Sequence, residues 1–525
     1  MSEPVAMERE PLRILPSAEA LAYLPAELAR RWRALPMHLS ADGSRLLLAV
    51  EESPRSSETA SDGVLARYLG EAPVATRVPV PSGSLMAAIE RAYDTPEAVR
   101  EGPLTALAEA TREPDESTVV VTVDRIVREA VAARASDIHL SPESDTAVLR
   151  FRVDGVLEPV TRFPVRWFEA LCNRFKVLAD MDVARRHQPQ DGQFRVLAEG
   201  RHIDLRLSTL PLIGGENLVI RLLDQRQRKR SLASLEQPPA IARQLRHAIT
   251  QPRGLIVVAG PTGSGKSTTL HCLLGELDAG ELNIMTLEAP VETRVSGYRQ
   301  SAIDEARGYG FASGLRAVLR QDPDVLLVGE IRDEESCALV TRAVLTGHRV
   351  LTSVHAADAL GAIHRLSELG MPRSVLAHEL TALLAQRLMR RRCAACEGSL
   401  SSAPSSAASS APSSAPSSAP SSAPSSAPSS ASSSAPSSAP ACAPCAACGG
   451  SGYRQRIAVI ECLPVNDAIR AAIAAAVDRT ELQALLGASG ARSLVEAAED
   501  LVARGLSDAA ELARVFGRGS SHEGA

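Results

Sequence analysis

The stretch that decides the fold is Leu255-Ile-Val-Val-Ala-Gly-Pro-Thr-Gly-Ser-Gly-Lys-Ser-Thr268. Its first five residues form an apolar run typical of a buried strand, and apolar residues at helical spacing follow it from Thr269 to Leu274. A strand, a glycine-rich loop and a helix N-terminus in this order form a phosphate cradle, because the glycines let the backbone close round the anion while N–H groups and the helix dipole point at it. The pattern predicts binding of a nucleoside triphosphate. A glycine-rich surface turn is the alternative.

Two side chains of this loop have specific expected roles. Lys266 is expected to reach the β- and γ-phosphates, and the Ser267 hydroxyl is expected to ligate Mg²⁺. The candidate nucleotide-binding residues are Gly260, Pro261, Thr262, Gly263, Ser264, Gly265, Lys266, Ser267 and Thr268.

Length and composition limit the class of protein. A chain of 525 residues has room for several domains, and a hydrophobic content of 45% is ordinary for globular cores. The formal net charge of −5 gives no overall attraction to nucleic acid or to anionic lipid. The first ten residues contain no apolar core of a signal peptide, and no stretch reaches the ~18 apolar residues of a membrane span. We therefore expect a cytosolic protein that contacts a membrane only through partners.

Changes in residue pattern divide the chain into six predicted segments. They are a small α/β domain at 1–98, a linker at 99–117, an α+β domain at 118–230, a nucleotide-binding domain at 231–391, a cysteine-rich element at 392–462 and a helical segment at 463–525. Alternating strands and helices in the fourth segment predict a parallel sheet covered by helices on both faces. The predicted strands of this sheet are Leu255–Ala259, Asn283–Leu287, Val325–Val328 and Val350–Ser353.

Ionisable side chains follow three of these predicted strands, at the edge where functional residues of parallel sheets cluster. Glu330 ends Asp324-Val-Leu-Leu-Val-Gly-Glu330 and is the candidate that orders the magnesium site or polarises the attacking water. Glu288 and Glu292 follow a second strand, and His355 follows a third as a candidate γ-phosphate sensor. An exposed glutamate after a core strand and a purely structural histidine are the alternatives.

Five of the nine cysteines fall between Cys393 and Cys448. Cys393-Ala-Ala-Cys396 and Cys445-Ala-Ala-Cys448 form two Cys-x-x-Cys pairs, which suit a closed tetrahedral Zn²⁺ site. A redox-active pair of dithiols is the alternative, and Cys442 competes with Cys445 as a ligand. The predicted zinc is structural.

Residues 401–440, between the two pairs, consist of ten Ser-Ser-Ala-Pro units, with Ala408 and Ser432 in place of two prolines. This composition offers no charge and no large apolar group for a core, and it predicts a disordered, partly extended linker. Loop closure costs grow only with the logarithm of length, so ~40 extra residues add on the order of 1 kcal/mol and the zinc site tolerates them.

Several stretches together resemble the secretion ATPases that drive type II secretion and type IV pilus assembly. Beside the phosphate loop, these are Leu319-Arg-Gln-Asp-Pro-Asp-Val-Leu-Leu-Val-Gly-Glu-Ile-Arg-Asp333 and Leu345-Thr-Gly-His-Arg-Val-Leu-Thr-Ser-Val-His355. Shorter matches to the family's second N-terminal domain and C-terminal part are Ala135-Ser-Asp-Ile-His139, Phe151-Arg-Val-Asp-Gly155, Pro189-Gln-Asp-Gly192, Gly215–Leu223, Ala385-Gln-Arg-Leu388 and Gly452-Tyr-Arg-Gln-Arg456. The resemblance covers residues 118–525. Residues 1–98 look more weakly like the domain that, in the type II enzyme, docks onto an inner-membrane partner.

The resemblance implies a fold and an assembly. The expected fold class is α/β, with a RecA-like ATPase core, a PAS-like α+β domain, a small N-terminal α/β domain and the tetracysteine element. The expected assembly is a homohexamer that binds ATP between the two central domains of each subunit. By motif match, Arg316 and Arg320 lie near the phosphates, and Arg150 and Arg152 are candidates for charge supplied across the cleft.

One residue departs from the family pattern. The family's acidic box reads Glu-Asp-Pro-(Val/Ile)-Glu, whereas this chain has Glu288-Ala-Pro-Val-Glu292, with Ala289 in place of the aspartate. If that aspartate only supports its neighbours, turnover slows; if it holds the metal, hydrolysis fails while binding persists.

The predicted function is therefore a cytoplasmic hexameric ATPase of type II secretion that acts through inner-membrane partners. The alternatives are a type IV pilus assembly ATPase and, because of Ala289, a catalytically silent nucleotide-binding scaffold. A nucleic-acid motor is disfavoured by the net charge and by the lack of a basic, aromatic-rich stripe.

Overall fold

A computed structural model describes residues 12–52, 68–69, 73–94, 104–109, 113–224, 231–396, 445 and 447–517. The predicted linker at 401–440 and Cys442 lie outside the described residues. The chain divides into two compact units. The first comprises Met1–Lys229 and Pro290–Ser296, and the second comprises Arg230–Ala289 and Gly297–Ala525.

The first unit contains short helices and two sheets. Its elements in chain order are β1 (Arg13–Leu15), α1 (Ala18–Leu21), α2 (Ala26–Trp32), β2 (Ala34–Leu39), β3 (Arg45–Glu51), β4 (Val74–Val80), α3 (Ser82–Asp94), a 3-10 helix (Leu104–Glu109), α4 (Glu116–Ala132), β5 (Ala135–Pro142), β6 (Thr146–Val153), β7 (Val156–Pro164), α5 (Val165–Leu178), β8 (Gln190–Ala198), β9 (Arg201–Leu212) and β10 (Gly215–Asp224).

The larger sheet of this unit has the strand order β1-β8-β9-β10-β5-β6-β7, and β2-β3-β4 form the smaller sheet. All neighbours in the larger sheet are antiparallel except β1 and β8. In β9 the buried residues Ile203, Leu205 and Leu207 alternate with more exposed ones, as expected for a sheet with one covered face. The buried faces of α4 and α5 share the core of this sheet.

Residues from the first predicted segment pack directly with the second. Strand β1 extends the larger sheet, and its Ile14 shares a hydrophobic cluster with Leu197 of β8. Arg13 of β1 forms an ion pair with Asp124 of α4. Part of the predicted linker at 99–117 is also folded, because Leu104 of its 3-10 helix is buried in the core of the larger sheet.

The second unit is a single sheet with helices on both faces. Its elements are a 3-10 helix (Leu232–Leu235), α6 (Pro239–Thr250), β11 (Gly254–Ala259), α7 (Lys266–Leu274), β12 (Ile284–Glu288), β13 (Arg299–Ala302), a 3-10 helix (Glu305–Arg307), α8 (Phe311–Val318), β14 (Val325–Val328), α9 (Glu334–Leu345), β15 (Arg349–Val354), α10 (Ala359–Glu368), α11 (Arg373–Glu379), β16 (Leu380–Arg392), β17 (Tyr453–Leu463), α12 (Asp467–Ala474), α13 (Arg479–Ala488), α14 (Leu494–Ala503) and α15 (Ala509–Phe516).

The strand order of this sheet is β13-β12-β14-β15-β11-β16-β17. All neighbours are parallel except β16 and β17. Strand β11 is buried on both sides: Leu255 and Val257 face one hydrophobic core, whereas Ile256 and Val258 face another. Successive side chains of a strand point to opposite faces, so a continuous apolar run is what a central parallel strand requires. The predicted α/β class with a parallel-sheet core is confirmed.

The C-terminal part of the chain belongs to the same sheet and core. Strand β17, which overlaps the end of the segment predicted as the cysteine-rich element, pairs with β16 over most of its length. Ile469, Leu482 and Leu501 of the C-terminal helices share the hydrophobic core that contains Leu255. The predicted domain boundaries remain predictions. Among the described residues, no helix combines the length and the apolar character that a membrane crossing needs.

Candidate active site

The glycine-rich loop joins β11 to α7 and lies against β16. Gly260 and Gly265 have φ values of 155° and 87°, in the left-handed region that glycine tolerates best. A Cβ atom at Gly260 would lie 2.6 Å from the Gln386 carbonyl oxygen, and one at Gly265 would lie 2.9 Å from the Gln386 side-chain Nε2. Both glycines are therefore required for conformation and for the close approach of β16.

Lys266 folds back over this loop. Its Nζ donates to the carbonyl oxygens of Gly260 at 3.0 Å and of Pro261 at 3.1 Å. Burial lowers the pKa of Lys266, the Glu330 carboxylate opposes that shift, and Arg387 adds to it.

The donor set of the loop fits a phosphate group. Among the described residues, the backbone N–H groups of Gly263 and Gly265 have no hydrogen-bond partner, and a Cβ atom at Gly263 would meet nothing within 4 Å. Free N–H groups in front of a helix N-terminus, beside an ammonium group, are the donors that phosphate oxygens require.

Gln386 of β16 holds the loop from the side of the sheet. Its Nε2 donates to the Ser264 carbonyl oxygen at 2.7 Å, and its Oε1 accepts from the Thr269 hydroxyl at 2.6 Å. Both Gln386 and Thr269 are buried. One amide group thus connects the loop to the first turns of α7.

Glu330 and His355 meet at the carboxyl edge of the sheet, after β14 and β15. The Glu330 Oε2 and the His355 Nε2 are 3.0 Å apart, and the other Glu330 oxygen accepts from Arg332. Glu330 is mostly buried, with 15% of its side chain exposed, whereas His355 is half-exposed. Only β15 separates β14, which Glu330 follows, from β11, which the loop follows, so the carboxylate and the loop lie at the same edge of the sheet. The charge of Glu330 accordingly acts on the pKa of Lys266.

Glu288 at the end of β12 is buried and accepts several hydrogen bonds within its own unit. Its Oε2 lies 3.1 Å from the His271 Nε2 of α7, while its Oε1 accepts from Thr286 at 2.7 Å and from Gln300 at 3.0 Å. Burial alone would raise the pKa of Glu288, but the bond and charge of His271, followed by the bonds from Gln300 and Thr286, lower it. The following residue, Ala289, is exposed.

The remaining predicted residues have other hydrogen-bond partners or are exposed. Arg316 of α8 is exposed and bonds to Glu335, and Arg320 donates to the Arg316 carbonyl oxygen at 2.6 Å. The other three belong to the first unit: Arg150 donates to Ser141, Arg152 donates to the Gly155 carbonyl oxygen, and Glu292 is exposed.

The four cysteines of the predicted zinc site lie together. The sulfur atoms of Cys393, Cys396, Cys445 and Cys448 are all within 4.8 Å of one another, and Cys396 and Cys448 are 3.5 Å apart. Backbone N–H groups of Cys448 and Ala447, together with Cys396, lower the pKa of Cys445 to about 7. Four sulfurs at this spacing, one of them easily ionised, fit a tetrahedral thiolate site.

Known proteins are similar to this chain in sequence and in fold. The family described as Type II/IV secretion system protein matches residues 112–514. The chain belongs to this family. The MshEN domain matches residues 7–99.

Two relatives and one solved structure illustrate the relationship. Type II secretion system protein E of Klebsiella pneumoniae is 40% identical over 359 residues, which are 68% of each chain. Type IV pilus assembly ATPase PilB of Thermus thermophilus is 33% identical over 493 residues, 92% of this chain and 53% of that protein. The fold resembles the Legionella pneumophila ATPase DotB with a TM-score of 0.52 at 19% identity, covering 75% of this chain and 94% of that one. The predictions of a secretion ATPase family and of an ATP-hydrolysing enzyme are confirmed.

Two residues of the site, Gln386 and His271, were not among the candidates predicted from the sequence. Gln386 lies in the stretch Ala385-Gln-Arg-Leu388, which supported the resemblance but carried no assigned role. His271 lies on the buried face of α7, where a polar residue amid Leu270 and Leu273 was the available signal.

Proposed function

We propose that this chain is a cytoplasmic, homohexameric ATPase that powers type II protein secretion through inner-membrane partners. The observation that carries the proposal is the convergence of Lys266, Glu330 and His355 at one edge of the parallel sheet. The relative from Klebsiella pneumoniae supports the secretion role, because its identity of 40% extends over 68% of each chain.

The phosphate loop would hold the nucleotide. Its free N–H groups and Lys266 would bind the β- and γ-phosphates of ATP, and Ser267, at the exposed start of α7, would ligate Mg²⁺. Bound Mg²⁺ supplies positive charge beside these phosphates. Lys266 then exchanges its bonds to the Gly260 and Pro261 carbonyl oxygens for bonds to the nucleotide.

Glu330 would orient the attacking water. Its carboxylate is held from two sides, by His355 and by Arg332, which fixes the direction of its lone pairs. A carboxylate held this way can accept a hydrogen bond from water in line with the γ-phosphate. His355, half-exposed beside it, is suited to sense the γ-phosphate.

The acidic box would support the site. Glu288 shares one hydrogen bond with His271 of α7, the helix that follows the loop, and Glu292 is a further acidic candidate. Because the oxygens of Glu288 already have protein partners, the absent carboxylate at Ala289 is expected to slow turnover rather than abolish it.

Four arginines are proposed to stabilise charge on the γ-phosphate. Arg316 and Arg320 would act near the phosphates, and Arg150 and Arg152 would supply charge across the nucleotide cleft. Each is bonded elsewhere in the isolated chain, so ring assembly and nucleotide binding would have to redirect them.

The cysteine cluster would hold a structural Zn²⁺ through Cys393, Cys396, Cys445 and Cys448. It lies where β16 ends and β17 begins, so bound metal would fasten the two strands together. No water needs to be activated there.

The N-terminal domains are proposed to bind the inner-membrane secretion platform. The net charge of −5 disfavours direct contact with nucleic acid, and membrane association would go through the partners alone. One alternative role retains support: PilB of Thermus thermophilus matches 92% of this chain, which favours pilus assembly as the second candidate.

The decisive experiment is steady-state hydrolysis of Mg·ATP by the purified full-length protein, beside Lys266→Ala and Ala289→Asp. We expect activity in the parent, none in Lys266→Ala, and a higher rate in Ala289→Asp. A parent that binds ATP without turnover, together with an active Ala289→Asp variant, would instead identify a silent scaffold.

Deletion of the gene in its native host separates the two machineries. Retention of normally exported proteins inside the cells supports the type II role, and loss of surface fibres with normal export supports pilus assembly.

A further inference from the structure

Gln386 stands at the point where β16 passes the phosphate loop. Ala385 is paired with Ala259, the last residue of β11, so Gln386 lies beside Gly260 where the loop begins. Its side chain is 1% exposed, and it reaches residues 122 and 117 positions away in the chain, Ser264 and Thr269.

The two bonds of this amide differ in direction. Its NH₂ group donates to the Ser264 carbonyl oxygen, and its carbonyl oxygen accepts from the Thr269 hydroxyl. A carboxamide supplies a donor and an acceptor on two atoms of one small, uncharged, planar group. Leucine could fill the space but would leave the buried Ser264 carbonyl and Thr269 hydroxyl without partners.

The bond to Ser264 has a consequence for the loop's other face. Because Gln386 holds the Ser264 carbonyl oxygen toward the sheet, the orientation of the peptide plane between Ser264 and Gly265 is fixed. The N–H group of this peptide belongs to Gly265 and is one of the two loop donors without a protein partner. Because a peptide unit is planar, its carbonyl and N–H point in opposite directions. Gln386 therefore aims the Gly265 N–H away from β16, toward the side where a phosphate would bind.

We infer that Gln386 is a positioning residue that sets the phosphate-binding shape of the loop through its bonds to Ser264 and Thr269. The inference rests on the proposed nucleotide site and assigns that site a residue from a strand outside the loop–helix motif. Gln386 does not itself touch the nucleotide. Its removal should weaken nucleotide binding while leaving the chemistry of bound ATP less affected.

The test compares Gln386→Glu with Gln386→Leu in the full-length protein. At high pH a glutamate cannot donate to the Ser264 carbonyl oxygen, whereas its protonated form can. Burial raises the pKa of a carboxyl group at this position, and the charge of Arg387, which donates to the Gln386 backbone carbonyl oxygen, lowers it. Protonation of the carboxyl group should restore the bond as the pH falls. Leucine offers no such rescue.

The readouts are the dissociation constant of mant-ADP and the KM and kcat for Mg·ATP, between about pH 6 and pH 8.5. We expect Gln386→Glu to bind mant-ADP about 10- to 100-fold more weakly than the parent at high pH, through KM more than kcat, and to approach the parent at low pH. Gln386→Leu should be weakened at every pH.

Gln237→Glu is the matched control. The Gln237 amide donates to two backbone carbonyls, of Leu235 at 2.8 Å and of Ala458 at 2.9 Å, away from the loop. This variant removes bonds of the same kind and should keep the parent's affinity at each pH. An equal loss in Gln237→Glu, a parent-like Gln386→Glu at high pH, or a pH-independent loss in Gln386→Glu would each overturn the inference.

Failure of the proposed function gives a different result. A parent that binds mant-ADP but does not hydrolyse ATP contradicts the ATPase proposal, while the pH-dependent affinity of Gln386→Glu still supports or overturns the inference. A parent that binds no nucleotide overturns both.

Discussion

Glu330 and His355 are joined side chain to side chain at 3.0 Å, although they follow different strands, β14 and β15. These strands are neighbours in the parallel sheet, and β15 is in turn the neighbour of β11, from which the phosphate loop leaves. The parallel arrangement places the carboxyl ends of all three strands at one edge. It is this edge that brings an acid, an imidazole and Lys266 into one site.

Glu330→Gln should retain nucleotide binding and lose turnover. Glutamine keeps the size of the side chain but removes the charge that orients water, so kcat is expected to fall by about 10²- to 10⁴-fold. Steady-state hydrolysis and mant-ADP binding measure the two effects separately. Loss of binding equal to the loss of turnover would contradict this role.

His355→Ala should lower kcat by about tenfold, because Glu330 loses one of its two restraints. The control is His364→Ala on α10, where His364 and Glu368 form a similar pair at 3.1 Å on the surface. Removal of that pair should leave hydrolysis unchanged. Equal rates in both variants would mean that His355 is not part of the active site.

Glu461 of β17 is expected to make stability depend on pH near neutrality. Burial is the main cause that raises the pKa of Glu461 to about 7, and the charge of Asp358 adds to it. The Ala359 N–H and the charges of Arg479 and Arg387 oppose this shift. The unfolded chain has an ordinary pKa of about 4.3, so the folded protein holds this proton more tightly. The resulting stabilisation is complete below the unfolded pKa and is lost as the pH rises through about 7.

Glu461→Gln removes this dependence, because glutamine stays neutral. At pH values above about 7 the variant should melt at a higher temperature than the parent. The expected gain in the free energy of unfolding is about 1–2 kcal/mol, after allowance for the partly exposed side chain. The advantage should shrink as the pH falls toward 5. Glu499→Gln, on the exposed face of α14, is the control and should show no such trend. A constant difference at all pH values would contradict the assignment.

Glu511 of α15 should show the opposite dependence. It is fully buried and accepts from the Arg390 backbone N–H at 2.8 Å, from the Arg390 Nε at 2.9 Å and from the Arg514 Nε at 2.7 Å. Burial would raise the pKa of Glu511, but the Arg514 bond, the Arg390 N–H and both guanidinium charges lower it. This stabilisation is present above the unfolded pKa and is lost as the pH falls through the lowered folded value.

Glu511→Gln is therefore expected to destabilise the protein at pH 7 by about 2–4 kcal/mol, since Arg390 and Arg514 lose a buried partner. Thermal unfolding at pH 7 and at about pH 4 should show the difference narrowing in acid. A variant as stable as the parent at pH 7 would show that the docking of α15 does not depend on this ion pair.

The cysteine cluster should bind one zinc ion per chain. Metal analysis of the purified protein is expected to give one equivalent, which Cys393→Ser should lose together with several degrees of melting temperature. Cys337→Ala is the control, because Cys337 is buried in the ATPase core and lies outside the cluster. Equal zinc content in both variants would exclude the site.

Removal of residues 401–440 should leave the zinc content unchanged. The Ser-Ser-Ala-Pro units lengthen the connection between the two cysteine pairs. The extra length adds about 1 kcal/mol to the cost of closing the loop, which is small against the free energy of zinc binding. Zinc loss on deletion would mean that the repeat takes part in folding the site.

Residues 255–274 by themselves determined the central strand, the phosphate loop and the helix that follows. This was possible because periodicity and glycine placement act over a few residues. The cysteine pairs and the strand-end residues Glu330 and His355 could be predicted for the same reason, since each is recognised from its residue type and its immediate neighbours in the sequence. Parallel packing then brought the strand ends together as expected.

The tertiary structure alone decided contacts between distant positions. The bonds of Gln386 to Ser264 and Thr269, the pairing of Glu288 with His271, and the entry of β1 into the larger sheet each join residues far apart in the chain. Such contacts depend on strand order and register, which local patterns do not specify. A polar residue within an apolar stretch of sequence is expected to need a hydrogen-bond partner once it is buried. The identity of that partner is known only from the fold.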